Sequence, residues 1–242
     1  MNRGEIRQAI LDELSKTSSD TFHTTTILNR FIQRAVDFVA KYKPWEQTQT
    51  SYKFTPTLAS DETDEYWDYP ENFYSDSIYR LAVGTGTIAS DKRYEPLTFE
   101  EYLNHKEDDP TSEKVWTDHK RQYFIYPILT GSPVITVWGH AKPDTMSSDS
   151  DEHPFADDAQ IDEAILSYAL SLAYTKMRGS YAKTGQEKKA EAIALLNQAW
   201  ESQRKRQAIR KTKNAEAWQH TDFLNQRAGD RVTKRGIFNL DF

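Results

Sequence analysis

The hydrophobic period of this chain changes twice, from helical to alternating near residue 46 and back to helical near residue 160. That double change constrains the fold more than any single motif. In the first stretch Ile6, Ile10 and Leu14 stand four apart with Ala9 beside them, so a helix is predicted over about 4–15. The polar run KTSSDTFHTTT then supplies N-cap residues for a second helix from about Thr25 to Tyr42. There Ile27, Phe31, Ala35, Phe38 and Tyr42 form one apolar stripe, and Leu28, Ile32, Val36 and Val39 form the next. A face this wide belongs at the centre of a fold, and Pro44 ends the helix.

From about 46 to 140 the pattern is that of strands. QTQTSYKFTPT alternates polar and apolar or β-branched residues, EYWDYP is aromatic, and a second strand is expected at Ile78–Val83. Gly84 and Gly86 suit a tight turn into IASDKRYEPL. TFEEYLNHK reads as a short helix capped by Thr98, with Glu100 and Glu101 in its first turn. RQYFIYPI (121–128) and SPVITVWGHA (132–141) read as strands whose short LTG connection predicts an antiparallel hairpin. Of the aromatics Tyr66, Trp67, Tyr69 and Phe73, at least half are expected to pack inward, since aromatics on half-buried strands do so.

The segment 144–158 is acidic and reads as a solvated connector. After it, Ile161, Ala164, Ile165, Tyr168, Leu172 and Met177 cover one side of a helix, and Leu166, Leu170 and Tyr174 cover the other. A helix apolar nearly all round is buried on several sides. Gly179 and Gly185 bracket a turn, and a last helix is expected from near Gln186, with Ala190, Ile193, Ala194, Asn197 and Trp200 on one face. Periodicity fades after about residue 207. The predicted fold is therefore α+β with segregated parts. The two terminal helix pairs (1–45 and 156–206) make a four-helix bundle, an antiparallel β domain (46–145) is inserted, and 207–242 is an extended C-terminal tail.

The chain has 242 residues, enough for a genuine core, and its 12% aromatic content argues against disorder for most of it. Its lack of cysteine excludes disulfides and thiolate metal sites. The N-terminus reads as an amphipathic helix rather than a signal peptide, and no apolar run reaches the roughly 18 residues of a membrane span. A protein made in the cytoplasm, without membrane association, is expected.

No catalytic, metal or cofactor site is expected. GSYAKTG (179–185) has its glycines six apart, and Lys183 and Thr184 precede the second, so it is a helix–helix turn and not a phosphate loop. His23, His105, His119, His140, His153 and His220 show no metal-ligand spacing, and all but His140 stand among polar neighbours. The acidic connector lacks the glycine and terminal glutamate of a calcium loop. Nothing such as G-x-S-x-G marks a nucleophile.

Charge is more informative. Residues 201–242 hold ten Lys/Arg against five Asp/Glu, a net +5, which leaves −11 on the first 200 residues of a chain whose total is −6. Arg204, Lys205, Arg206, Arg210, Lys211 and Lys213 form a basic strip in RKRQAIRKTK. It reads as a solvated helix end, a phosphate-contacting patch or a strip for an acidic protein surface. Further on, Arg227, Arg231, Lys234 and Arg235 lead into Ile237, Phe238, Leu240 and Phe242. Apolar residues without periodicity at the end of a basic tail are expected to be docking anchors. They would fill apolar pockets or add a strand to a partner's sheet edge; the alternative is a tail folded back on its own core.

Several stretches together resemble a known family: Trp45 at the end of the second helix, YWDYPENFYSDSIYRLAV (66–83), YEPLTFEEY (94–102), the segment 121–155 and IDEAILSYALSLAYTKMRG (161–179). Their order and spacing over about 25–200 resemble the head–tail connector (portal adaptor) proteins of tailed bacteriophages. The resemblance implies a structural virion protein at the head–tail interface. It would form a ring, usually of twelve copies, attached below the portal protein, with neighbouring adaptor subunits at its sides. The ring would extend the DNA channel, pass genomic DNA without sequence-specific binding, and offer a platform to the next tail component, whether stopper, tube or hub. In such families the C-terminal segment often grips the portal, the role expected of the tail anchors. An acidic body suits a channel wall, because it repels phosphate. The competing expectation is an oligomeric nucleic-acid-binding protein using the strip at 204–213.

Overall fold

Asn2 opens the first helix with a capping box. Its side chain accepts from the Glu5 N–H at 2.9 Å, and the Glu5 carboxylate accepts from the Asn2 N–H at 2.9 Å. The computed structural model describes residues 1–16, 21–55, 66–75, 77–84, 92–108, 113–127, 129, 133–177, 179 and 181–227, with side chains up to residue 208. The helices are α1 (Arg3–Glu13), α2 (Thr25–Tyr42), α3 (Phe99–Asp108), α4 (Ala159–Met177) and α5 (Tyr181–Arg227). The strands are β1 (Gln49–Phe54), β2 (Tyr66–Asp68), β3 (Arg80–Gly84), β4 (Lys92–Pro96), β5 (Val115–His119), β6 (Gln122–Tyr126) and β7 (Val134–His140).

Helix α4 is the axis of the helical part: α1, α2 and α5 all pack on it, as its all-round apolar surface requires. Asp158 caps it, its carboxylate accepting from the N–H groups of Gln160 at 3.2 Å and Ile161 at 3.4 Å. The core between these helices is built from Ile6, Leu28, Ile32, Val36, Ile161 and Ile165, all fully buried. Gly185 does not mark a turn as expected; it lies inside α5. A β-carbon there would stand 3.0 Å from the Ser171 carbonyl oxygen and the Thr175 hydroxyl, so glycine lets α5 press onto α4. The turn between the two helices keeps Gly179 in the left-handed region, at φ 61°.

The four-helix bundle with an inserted antiparallel β domain is not what the chain builds. Among the described residues there are five α-helices and one large, curled, seven-stranded sheet with the order β1-β7-β3-β4-β5-β6-β2. Neighbours are antiparallel except β4 and β5. The sheet carries its own core, including Phe73, Leu81, Tyr123, Ile125, Ile135 and Val137, which is why it is not an appendage of the helices. Its curl brings the two edges together: Tyr123 on β6 lies 6.2 Å from Phe54 on β1 and 6.0 Å from Trp67 on β2, ring centroid to centroid. Of the four aromatics near the second edge, Tyr69 and Phe73 are buried, Trp67 is half-buried on Tyr123, and Tyr66 is exposed.

The expected hairpin between 121–128 and 132–141 is likewise absent. β6 pairs with β5 and β2, and β7 pairs with β1 and β3, so both sides of each strand are taken. β6 instead forms a two-residue hairpin with β5 through Lys120 and Arg121, at φ 50° and 65°. Positive φ at both central residues is the geometry of a type I′ turn, which suits the twist of a hairpin even without the usual Asn-Gly. The proposed turn residue Gly86 lies outside the described residues.

Over residues 207–227 the extended tail is corrected too, while 228–242 lie outside the described residues. α5 runs as one helix of 47 residues from Tyr181 through Arg227, about 70 Å at 1.5 Å per residue.

Candidate interaction site

Trp45, between α2 and β1, is the point where helices and sheet lock together. It is fully buried, and its indole N–H donates to the Val39 carbonyl at 2.7 Å. Phe155 and Trp200 both approach it edge-on, at 6.3 and 5.6 Å between ring centroids. Next to it, Thr48 donates to the Trp45 carbonyl at 2.9 Å and also lies 2.9 Å from His140 Nδ1, so the junction continues into the sheet.

This junction positions the start of the basic strip. After Leu196, Ala199 and Trp200, which pack on the helical core, α5 turns Gln203 inward. The Gln207 amide donates to Glu46 at 3.0 Å, and Arg206 reaches Asp158 at 3.5 Å. Arg204, Lys205 and Arg206 are exposed. Arg206 is thus partly engaged with the N-cap of α4, a contact worth little at so exposed a site. Arg210, Lys211 and Lys213 follow on the same helix, whose side chains beyond residue 208 are not described, and Arg227 is its last residue. Arg231, Lys234, Arg235, Ile237, Phe238, Leu240 and Phe242 lie outside the described residues.

The acidic segment 144–158 is no solvated linker. It wraps the start of α1. The backbone N–H groups of Arg3 and Gly4 donate to the carbonyls of Asp151 at 3.0 Å and Asp149 at 2.9 Å. The Arg3 guanidinium reaches Asp149 at 3.0 Å and the Met146 carbonyl at 2.6 Å; Arg7 grips both Asp149 oxygens, Oδ1 at 2.7 Å. Hydrogen bonds from Arg7, then Arg3, hold the Asp149 carboxyl far below its ordinary range. Hydrogen bonds from Ser148 and Ser147 bring Asp151 down to about 2. Among the described residues no cluster of His, Cys, Asp or Glu is arranged to hold a metal ion. Arg3 and Arg7 supply the positive charge beside Asp149.

Two histidines expected among polar neighbours are in fact buried. His23 lies against the Ala173 carbonyl at 3.4 Å. His153 accepts from the Phe155 N–H at Nδ1 and faces Asp162 through Nε2 at 2.8 Å. With Nδ1 an acceptor, the proton sits on Nε2, and burial pushes the imidazole pKa down. Asp162 also takes the terminal ammonium of Met1 at 3.0 Å. Met1 and Asp162 stand 161 positions apart and His23 and Ala173 150, so sequence spacing could not show those contacts.

No described helix is long and apolar enough to cross a membrane. The geometry is that of a packed scaffold with one long basic helix leaving its junction. Among curated proteins none matches the chain. The family model described as SU10 adaptor protein matches residues 1–221, nearly the whole length. The chain belongs to the SU10 adaptor protein family, a phage head–tail adaptor family, and is accordingly a structural adaptor component of a bacteriophage virion.

Proposed function

We propose that this adaptor assembles as a ring below the portal protein, extends the DNA channel and offers the platform on which the next tail component sits. The C-terminal end of the chain docks each copy to the portal. The observation that carries this reading is the course of α5. It is tied to the body at Trp200, Arg206 and Gln207 and continues as one helix to Arg227. Beyond Gln207 that helix adds about 30 Å at 1.5 Å per residue. The fifteen residues 228–242 span at most about 50 Å more if extended. The basic residues along this arm steer it toward an acidic portal surface, and Phe238, Leu240 and Phe242 seat in apolar pockets there. Acidic walls on the body keep passing DNA from sticking.

The test is sedimentation of the full chain mixed with the portal protein of the same phage. Co-sedimentation in a fixed multiple of the portal subunit is expected. A chain that stays apart from the portal while binding duplex DNA with steep salt dependence contradicts the reading.

A further inference from the structure

Where α2 ends against the sheet there is an open cleft of about 850 Å³ with four cations at its walls: Lys41, Lys43, Arg121 and Lys142. On a body of net −11 this is an anomaly, and the contacts of the four make it sharper. Lys41 lies over the Tyr74 ring at 5.8 Å and Lys43 over the Tyr42 ring at 5.5 Å. Lys142 donates to the Glu71 carbonyl at 3.0 Å, and Arg121 reaches the Ser75 hydroxyl at 3.4 Å. Among the described residues none of the four is ion-paired. Asp37, which takes the Gln33 amide at 3.2 Å, is the one carboxylate among the described lining residues. The Tyr74 hydroxyl is buried there without a hydrogen-bond partner among the described residues. Four cations held by rings, a carbonyl and a hydroxyl are placed for an anion that comes from outside.

We propose that the cleft receives the acidic segment Asp61–Glu65 of a second copy of this chain, in a head-to-tail contact between copies. This rests on the oligomeric part of the reading above. The segment holds Asp61, Glu62, Asp64 and Glu65 with no basic residue between them, four negative charges for four positive. The acidic run 105–114 carries its own Lys106 and Lys114, and in 144–158 Asp149, Asp151 and Asp158 are engaged within their own chain. Strand register favours a neighbour over the chain itself. β1 meets the cleft end of the sheet at Gln49, opposite His140, and finishes at Phe54, opposite Ile135. β2 finishes at Asp68 beside Gln122, next to Arg121, and starts at Tyr66 opposite Phe124. The chain therefore leaves β1 and enters β2 at the strand ends farthest from the cleft. A surface that pairs one end of a copy with the other end of the next is heterologous, the kind of contact that closes into rings.

The test uses a fluorescent peptide of residues 55–66 titrated against the full chain at low ionic strength. Saturable binding is expected, weakened about ten-fold by Lys41→Glu with Lys142→Glu, the equivalent of two exposed ion pairs. A peptide carrying Asp61→Lys and Glu62→Lys should recover binding to that variant. Both lysines are exposed, and circular dichroism checks that the variant folds. Failure of the native peptide to bind, or equal binding by the variant, overturns the proposal. So does a DNA duplex that displaces the peptide and binds the same lysines more tightly, which makes phosphate the occupant. Portal co-sedimentation is read separately: if it holds while the peptide fails, only the contact between copies falls.

Discussion

Trp45 and Trp200 meet edge to face, with ring centroids 5.6 Å apart, and so couple the α2–β1 junction to the point where α5 leaves the core. Trp45 is fully buried and Trp200 half-buried. Trp45→Ala should cost about 3–5 kcal/mol in urea unfolding, as deletion of a buried large aromatic does. Trp200→Ala should cost less. A double-mutant cycle should return a coupling of about 0.5–1.5 kcal/mol, the usual worth of an aromatic pair. Strictly additive losses contradict the contact.

Asp149 is the hinge pin of the connector's grip on α1, and its acid titration should show it. The folded carboxyl titrates below its ordinary 3.8, so its pairing stabilises the fold above that pH and is lost as pH falls through the folded value. Asp149→Asn should speed amide hydrogen exchange in α1 at neutral pH and flatten the acid limb of stability against pH. Unchanged exchange in α1 would show that Arg3 and Arg7 do not depend on this carboxylate.

His153 should make the protein lose stability just below neutral pH. Its folded pKa is depressed from 6.5 by burial. Above 6.5 the ring is neutral in both states; below it the unfolded chain takes up the proton first, so stability falls as pH drops. Thermal melts between pH 7 and 5 should show this decline, and His153→Gln should reduce its slope. Half-buried His140, depressed by the same cause, should leave a remainder. A wild-type melt that rises toward pH 5 contradicts the assignment.

Gly139 on β7 is where Phe73 packs closest to the sheet. A β-carbon there would stand 2.8 Å from two ring atoms of Phe73 and 3.1 Å from the Ser77 carbonyl oxygen. Gly139→Ala should destabilise by about 1–3 kcal/mol, the cost of overpacking a filled site. Pairing it with Phe73→Leu should recover part of that loss in the same unfolding measurement.

Legibility in the sequence followed locality. α1 and α2 could be read almost to the residue, because Ile6, Ile10 and the twin stripes of α2 repeat within a turn or two and Pro44 stops the helix. Thr98 was legible as a cap, and it forms a box with Glu101, whose carboxylate accepts the Thr98 N–H at 2.9 Å. Strand pairing was not legible: β6 and β7 are neighbours in sequence and sit in opposite halves of the sheet order. β5 was missed because VWTDH is five residues long and its turn, Lys120–Arg121, carries none of the usual turn residues. The helical run of α5 past 207 was hidden for another reason. AIRKTKNAEAWQHTDFLNQR shows no apolar stripe, but it is rich in Ala, Arg, Lys, Glu and Gln, which favour helix without one. The arginine clasp on Asp149 joins residues more than a hundred positions apart, and no spacing rule reaches that far.

The central claim, that the C-terminal arm docks the adaptor to its portal, is tested most directly by a chain that ends at Ala208. Gln207 and its bond to Glu46 remain, so the body should keep its helical circular dichroism and its melting temperature. Mixed with the portal protein and sedimented, the full chain should travel with the portal in a fixed multiple while the shortened chain stays behind. Equal co-sedimentation by the shortened chain would contradict the account, because the docking surface would then lie on the body and not on the arm.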